Sequence, residues 1–148
     1  MRFDRFTLKA QEAVQASQDI ASDHSHQAIE PEHVLIALLD QEGGIATSIL
    51  QKLGVDPAYI RQQTQAEIER MPKQYGGSQG YVSPALKKVF DAAWDEAQRL
   101  KDEYLSTEHI LLAISESKDS SAGSILREAG ATKDNIFRAL ADVRGCQR

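Results

Sequence analysis

The sequence has little cysteine and no long apolar run. Its single cysteine, Cys146, cannot form an internal disulfide or a thiolate metal cluster, so we expect a reducing compartment and an incidental thiol. No apolar segment approaches the roughly 18 to 20 residues that cross a bilayer. The first residues, Met1-Arg2-Phe3, do not begin the hydrophobic core of a signal peptide. These absences predict a cytoplasmic protein with no membrane association.

An excess of positive charge is also missing. The 148 residues include 17 Lys and Arg against 22 Asp and Glu, a formal net charge of −5, with the two signs interleaved. Without a basic stripe that could neutralise phosphates, nucleic acid is not an expected partner. The 41% of hydrophobic residues is enough to bury one core but hardly two. We therefore expect one globular domain over residues 1–148.

What the sequence does contain is an internal repeat. Residues 29–38 align with residues 105–114 at a shift of 76 positions, and the alignment continues without gaps on both sides. The break falls at residues 72–81, whose proline, glycine and serine content is typical of a linker. We expect repeat 1 at about residues 6–71 and repeat 2 at about residues 82–145. The matched pairs include Thr7 and Ser83, Asp19 and Asp95, Ala46 and Ala122, Leu50 and Leu126, and Gly54 and Gly130.

Both copies have the pattern of helices throughout. Thr7 and Ser83 can accept hydrogen bonds from the free N–H groups of a first helical turn, so each is an expected N-cap. Apolar residues recur at spacings of three and four over residues 86–100, which predicts an amphipathic helix. Gly54 and Gly130 favour the left-handed turn that ends a helix. The predicted fold is all-α: eight helices, arranged as two pseudo-symmetric four-helix repeats packed into one domain.

Nucleotide and metal sites are not indicated. The glycine pairs Gly43-Gly44 and Gly76-Gly77 lack the following lysine of a phosphate-binding loop. The four histidines lack the His-Glu-x-x-His spacing and the accompanying thiol or carboxylate cluster of a zinc site. We therefore expect no catalytic residue, no cofactor and no metal in this chain.

The sharpest polar signal is a Glu-His dipeptide at the same place in both copies, Glu32-His33 and Glu108-His109. Each pair follows an expected helix start, where a carboxylate is stabilised by the helix dipole. Acid–base catalysis would also require a cleft and a nucleophile, and no nucleophile recurs beside the pairs. We interpret the pairs as structural or ligand-binding, with a small hydrolase that uses a Glu-His pair as the alternative from another class.

Several segments resemble the N-terminal domain of the Clp family of AAA+ unfoldases, and the resemblance covers the whole chain. They are residues 1–7, the repeated Glu-His-(Val/Ile)-Leu motif and residues 50–54. Residues 30–33, 70–73 and 144–148 are most similar to the ClpB subfamily of disaggregating chaperones, although Cys146 departs from a glycine there. The resemblance implies a homohexameric parent that acts in stress response and protein refolding with an Hsp70-type chaperone system. Its ATP and Mg²⁺ sites, and a coiled coil, would lie outside this chain.

The resemblance also implies a function for this piece, which would recognise unfolded or aggregated polypeptides and pass them to the ATPase rings. The candidate substrate-binding residues are Thr7, Asp102, Glu108, Glu32 and His109. The first three match positions implicated in recognition in ClpB relatives, and the last two come from the repeated motif. Because His109 and Glu96 occupy positions that are apolar in some relatives, we expect a polar groove with dissociation constants on the order of micromolar or weaker.

Two further alternatives remain. In ClpC, paired glutamates at the positions of Glu32 and Glu108 bind phosphorylated arginine and adaptor proteins, and a carboxylate pairs well with a guanidinium. The other alternative is a structural spacer with no binding role. The ClpB-like segments argue against the ClpC alternative, and a spacer does not explain the repeat as well as polypeptide binding does.

Overall fold

The computed structural model describes residues 3–76 and 80–146. Of Gly145 and Cys146 only the main chain is described, so the incidental thiol expected at Cys146 lies outside the described side chains. The first two and last two residues of the sequence, which contribute to the resemblance, and residues 77–79 of the expected linker also lie outside.

Helices make up most of the described chain, which confirms the all-α prediction. A short 3₁₀ helix, Phe3–Arg5, precedes the first α-helix, and two short strands are present, Ala28–Ile29 (β1) and Tyr81–Val82 (β2). The α-helices within residues 3–76 and 80–146 are α1 (Leu8–Asp23), α2 (Pro31–Asp40), α3 (Ile45–Lys52), α4 (Pro57–Arg70), α5 (Pro84–Arg99), α6 (Thr107–Glu116), α7 (Ser121–Glu128) and α8 (Lys133–Cys146).

The helices repeat in position as well as in number. Each helix from α5 to α8 begins and ends 76 positions after its counterpart from α1 to α4. Left-handed backbone angles recur at the same shift: Ser25 (φ 59°) corresponds to Lys101 (φ 60°), and Gly54 (φ 76°) corresponds to Gly130 (φ 95°). Two pseudo-symmetric four-helix repeats are thus confirmed down to single main-chain angles.

Main-chain pairing joins the two repeats crosswise. β1 pairs in parallel with β2, with Ile29 opposite Val82. At the pseudo-equivalent place, Phe6 forms a parallel bridge with Leu105. The connection between the first and second helix of each repeat is therefore bonded to the segment that enters the other repeat. Buried apolar residues of both repeats also belong to one hydrophobic cluster in the described part of the chain.

The residues expected to cap helices do so. Thr7 Oγ1 accepts a hydrogen bond from the Ala10 N–H at 3.2 Å, and Ser83 Oγ accepts one from the Leu86 N–H at 3.0 Å. α2 begins at Pro31, whose missing N–H would have no partner in a first turn. Local side-chain chemistry thus determines where these helices begin.

The core lies around α2 and α6. Eight of the ten residues in each of these helices are buried, as expected for helices packed on nearly every face. At one end of the core, the Phe6 ring lies 5.0 Å from the Phe3 ring and 5.7 Å from the Phe90 ring, between centroids. The bridge between Phe6 and Leu105 brings the starts of α1 and α6 together beside these rings, at the edge of the domain where most of the candidate residues lie.

Candidate functional site

Four side chains meet between the start of α6 and the end of α8. Arg144, in the last turn of α8, donates from Nη2 to Asp102 Oδ2 at 2.7 Å and to Glu108 Oε2 at 3.0 Å. His109 Nε2 lies 2.8 Å from the same Asp102 oxygen. We call these four residues the Arg144 cluster. It unites three of the five candidate residues with an arginine that is not among them.

His109 is held at both ring nitrogens. Its Nδ1 accepts a hydrogen bond from the main-chain N–H of Ser106 at 2.9 Å, so the ring proton lies on Nε2 and is donated to Asp102. The His109 side chain is only 1% exposed, whereas that of Asp102 is 28% exposed. His109 therefore orients the Asp102 carboxylate from inside the domain.

Charge pairing keeps the cluster ionised. Partial burial acts to raise the pKa of Asp102, but hydrogen bonds from Arg144 and His109 outweigh it and hold that pKa below its usual value. Burial also acts to raise the pKa of Glu108, but hydrogen bonds from Ser106 and Arg144 outweigh it and hold that pKa below its usual value. The pKa of Arg144 is raised, because its two carboxylate partners overcome the effect of burial. The cluster thus presents two carboxylates around one guanidinium.

Thr7 lies beside the cluster without joining it. Its main-chain N–H donates to the Leu105 carbonyl oxygen at 2.9 Å, while its hydroxyl caps α1 through the Ala10 N–H. The backbone of Thr7 therefore fixes the start of α1 against the segment that carries Asp102 and Glu108.

Apolar and aromatic side chains are exposed at the same edge. Phe3 is 45% exposed, Leu8 71% and Tyr104 47%. The guanidinium of Arg5 lies 5.9 Å from the centre of the Tyr104 ring, within range of a cation–π interaction. This edge of the domain combines accessible apolar surface with accessible charge.

Glu32 lies in a different environment from its counterpart Glu108. It is 3% exposed, and its Oε2 accepts hydrogen bonds from the Ser121 hydroxyl and the Ala122 N–H, both at 2.9 Å. Those donors form the N-terminus of α7, so the carboxylate caps a helix of the other repeat. The structure does not bring Glu32 into the Arg144 cluster.

Glu96, one of the departures expected to make the groove polar, is also buried. It is 5% exposed. Its Oε1 lies 2.7 Å from Lys133 Nζ and 3.0 Å from Arg99 Nη1. Its charge is therefore paired within the fold and is not presented on the surface.

The corresponding place in repeat 1 has the same hydrogen bond between a histidine and the main chain as the Arg144 cluster, but the histidine has a different side-chain partner. His33 Nδ1 accepts a hydrogen bond from the Glu30 N–H at 2.9 Å, as His109 does from its own helix start. His33 Nε2, however, lies 3.0 Å from Nδ1 of His26, which occupies the position of Asp102. A histidine pair thus replaces a histidine–carboxylate pair.

Arg144 is the site residue that the sequence analysis missed. At the repeat shift it corresponds to Ile68, which is fully buried in α4. A cation in the register of a core isoleucine is therefore the signal that could have identified Arg144. Only repeat 2 has a guanidinium at this place.

A conservative change at Glu32 tests its role as a cap. We expect Glu32→Gln to lower the free energy of unfolding by about 1 kcal/mol, because the amide keeps an acceptor but loses the charge that stabilises the start of α7. Urea unfolding followed by Trp94 fluorescence measures the loss. Glu128→Gln removes an equal charge from an exposed position in α7 and should not destabilise; equal losses in the two variants would contradict the role.

Two negative findings apply to residues 3–76 and 80–146. In these ranges, no group of three or more His, Cys, Asp or Glu side chains is arranged to hold a metal ion. Nor do they contain a helix that is long and apolar enough to cross a membrane. The histidines of repeat 1 instead bond to one another and to the main chain, as His24 Nδ1 does with the Ile20 carbonyl oxygen at 2.9 Å.

The repeated helices match a known family. Residues 5–129 match the family described as the Clp repeat (R) N-terminal domain. The chain belongs to this family. It is 37% identical to the chaperone protein ClpB of Bacillus cereus, in an alignment that covers 100% of this chain and 17% of the relative. It is 38% identical to the chaperone protein ClpB of Vibrio cholerae, over 100% of this chain and again 17% of the relative.

The fold of this Clp N-terminal domain is shared with solved structures. The N-terminal domain of Hsp104 from Candida albicans has a TM-score of 0.82 at 24% identity, covering 97% of this chain and 93% of that one. A ClpV N-domain solved in complex with a VipB peptide has a TM-score of 0.74 at 19% identity, covering 94% and 86%. As a member of this family the chain is a binding domain, and the match covers no AAA+ nucleotide-binding region.

Proposed function

We propose that this Clp N-terminal domain binds segments of unfolded or aggregated polypeptide at the edge formed by the starts of α1 and α6. The observation that carries the proposal is the joint exposure there of Asp102, Leu8 and Tyr104. Unfolded chains differ from folded ones in presenting apolar side chains and main chain together, and a surface with both apolar area and charge suits such a ligand.

The comparisons support a peptide ligand. The ClpV N-domain, which has the same fold, was solved with a VipB peptide. The chaperones ClpB that share more than a third of their aligned residues with this chain support a role in a disaggregating chaperone. Thr7, Asp102 and Glu108 are the proposed binding residues; Glu32 and His109 remain candidates that would act by holding neighbouring elements in place.

The ClpC-like alternative depends on Glu32 and Glu108 acting as a pair. Glu108 does accept a guanidinium, that of Arg144, at 3.0 Å, which favours arginine recognition at this residue. Glu32 is buried against α7 and would need to leave its cap to take part. A titration with phosphoarginine followed by NMR tests this alternative, which requires shifts at the starts of both α2 and α6.

The role of the whole protein extends the proposal. The chain spans 17% of the length of the ClpB relatives. We propose that the parent is a cytoplasmic homohexamer that binds ATP and Mg²⁺ in its AAA+ modules and cooperates with an Hsp70-type system. In that arrangement this domain delivers polypeptide to the rings.

Binding to an unfolded protein tests the proposal. We expect reduced and alkylated ribonuclease A, labelled with fluorescein, to bind with a dissociation constant of micromolar or weaker, and native ribonuclease A to bind no more than marginally. The double variant Asp102→Asn with Glu108→Gln should weaken binding about tenfold, because the two carboxylates proposed to contact the polypeptide are lost. Fluorescence anisotropy measures the affinity.

A charge-matched variant controls for net charge in that experiment. Glu128→Gln with Asp134→Asn removes two exposed carboxylates from α7 and α8 and should leave the affinity unchanged. Equal binding of native and unfolded ribonuclease A, or equal weakening by the two double variants, would refute the proposed site.

A further inference from the structure

We propose that a cavity in repeat 1, beside His26, binds a neutral carboxamide group of a polypeptide, such as the side chain of glutamine. The inference goes beyond the proposed function, because it places a second binding site in the other repeat and gives it a different ligand chemistry. His26 corresponds to Asp102 at the shift of 76 positions, so the two sites would be pseudo-equivalent in place.

Hydrogen bonds fix the ring proton of His26 on one nitrogen. His33 Nδ1 accepts from the Glu30 N–H at 2.9 Å, so the ring proton of His33 lies on Nε2. That proton is donated to His26 Nδ1 at 3.0 Å. Because a neutral imidazole carries one proton, that of His26 must lie on Nε2. His26 therefore offers an N–H donor where Asp102 offers only acceptors.

This N–H donor is buried and unpaired. His26 is 7% exposed, and its Nε2 has no hydrogen-bond partner among the described residues. The main chain of Met71 acts as an acceptor that raises the pKa of His26, but it does not form a hydrogen bond with Nε2. A buried donor without a partner is costly, and native folds contain few of them. A ligand that supplies an acceptor would recover this cost.

His26 lines two cavities. The larger, of about 610 Å³, lies between the end of α1, β1 and residues 74–76. The smaller, of about 200 Å³, lies between β1 and residues 71–74. Gln27 and Gln74 also line both cavities. The larger one has the size of a small-ligand site and can hold a side chain together with its flanking main chain.

The charges around the cavities favour a neutral ligand. Asp19 lines the larger cavity and Glu30 the smaller, and no Lys or Arg lines either one within the described residues. The end of α1 adds the negative end of a helix dipole. Lys73 acts on the pKa of His26 through its charge but is not part of the lining. A carboxylate ligand would be repelled, and an ammonium group has no acceptor for the His26 N–H.

A carboxamide has both of the groups that the site requires. Its carbonyl oxygen accepts from His26 Nε2, and its N–H donates to the Asp19 carboxylate or to a glutamine of the lining. The ligand reaches the buried N–H by shifting residues 71–74, which wall the smaller cavity. Pro72 and Gln74 are exposed, and Gln74 is held to the end of α1 by its N–H, which donates to the Ser25 carbonyl oxygen at 2.8 Å. The shift therefore moves a surface segment and not the core.

Three short peptides test the inference by NMR titration of the 148-residue chain at pH 7. They are acetyl-Gly-Gln-Gly-amide, the same peptide with glutamate, and acetyl-Gly-Gly-Gly-amide. We expect the glutamine peptide to shift the amide resonances of residues 25–28 and 74, and to bind at least about fivefold more tightly than the glutamate peptide, because like charges repel. Weaker binding of the all-glycine peptide would assign the ligand as the side-chain carboxamide, and equal binding would assign it as the main chain.

Substitutions at the cavity identify the donor. His26→Asp copies repeat 2 and keeps an acceptor for the His33 N–H, as Asp102 does for His109, but it removes the donor. It should weaken binding of the glutamine peptide by at least about fivefold. Gln74→Ala, on the surface segment, should weaken binding about twofold. Gln62→Ala removes an exposed glutamine of α4 that lines neither cavity and should leave the affinity unchanged.

Failure of this inference is distinct from failure of the proposed function. If the glutamine and glutamate peptides bound equally, or if His26→Asp and Gln74→Ala bound the glutamine peptide as tightly as the unaltered chain, the cavity would not be a carboxamide site. Neither result alters the effect expected of Asp102→Asn with Glu108→Gln on unfolded ribonuclease A. Loss of ribonuclease discrimination would instead refute the proposed function and leave the peptide shifts around His26 in place.

Discussion

The variant Gly123→Val is expected to lower the free energy of unfolding by about 3 kcal/mol or more. A Cβ atom at Gly123 would lie 2.1 Å from the Ser117 carbonyl oxygen and 2.9 Å from that of Ile114. Both are main-chain atoms at the end of α6, so neither can rotate away, and overpacking against rigid backbone costs 1 to roughly 3 kcal/mol or more. α6 and α7 would have to separate.

The equivalent residue of repeat 1 supplies the control. Position 47 carries threonine, so the first repeat accommodates a side chain where the second does not. Thr47→Val keeps the size of the side chain and loses only the long hydrogen bond, 3.4 Å, that the Thr47 hydroxyl donates to the Leu39 carbonyl oxygen, so it should lower the stability by about 1 kcal/mol. Urea unfolding followed by Trp94 fluorescence measures both variants. A Gly123→Val domain as stable as the unaltered one would show that the close approach of α6 and α7 is not required.

Lowering the pH from 7 to 5 is expected to lower the free energy of unfolding by about 2 kcal/mol through His33 alone. Burial, followed by the charges of His26 and His24, lowers its pKa from 6.5 to about 4. Between these values the unfolded chain binds a proton that folded His33 does not, so stability falls as the pH falls. Each pH unit inside the window costs up to roughly 1.4 kcal/mol, and the loss levels off below pH 4.

The variant His33→Asn isolates this contribution. Asparagine keeps an acceptor near the Glu30 N–H but does not titrate, so the stability difference between pH 7 and pH 5 should shrink by about 2 kcal/mol. The pKa of His26 is also lowered, and the remaining slope should have the same sign. Asp102 and Glu108, whose pKa values are lowered, lose their contributions only at more acidic pH. An unchanged slope in the variant would contradict the assignment.

The sequence by itself determined the repeat and the limits of its helices. A shift of 76 positions is visible in the residues and recurs in every helix boundary, because N-caps such as Thr7 and Ser83 and left-handed glycines such as Gly54 act within a few residues of their own position. The division into residues 6–71 and 82–145 stays a prediction. The Clp resemblance likewise depended on short local motifs.

Only the tertiary structure decided what each Glu-His pair does. Identical dipeptides at equivalent places have different partners: Glu32 caps α7 through Ala122, 90 positions away, while Glu108 binds Arg144, 36 positions away. Side-chain partners at such separations are set by how helices pack. The repeat pairs Ile68 with Arg144 in the sequence, but it cannot show which carboxylates the Arg144 guanidinium reaches. The site is therefore asymmetric in a pseudo-symmetric fold, because the packing of distant residues, and not the repeated motif, places the charges.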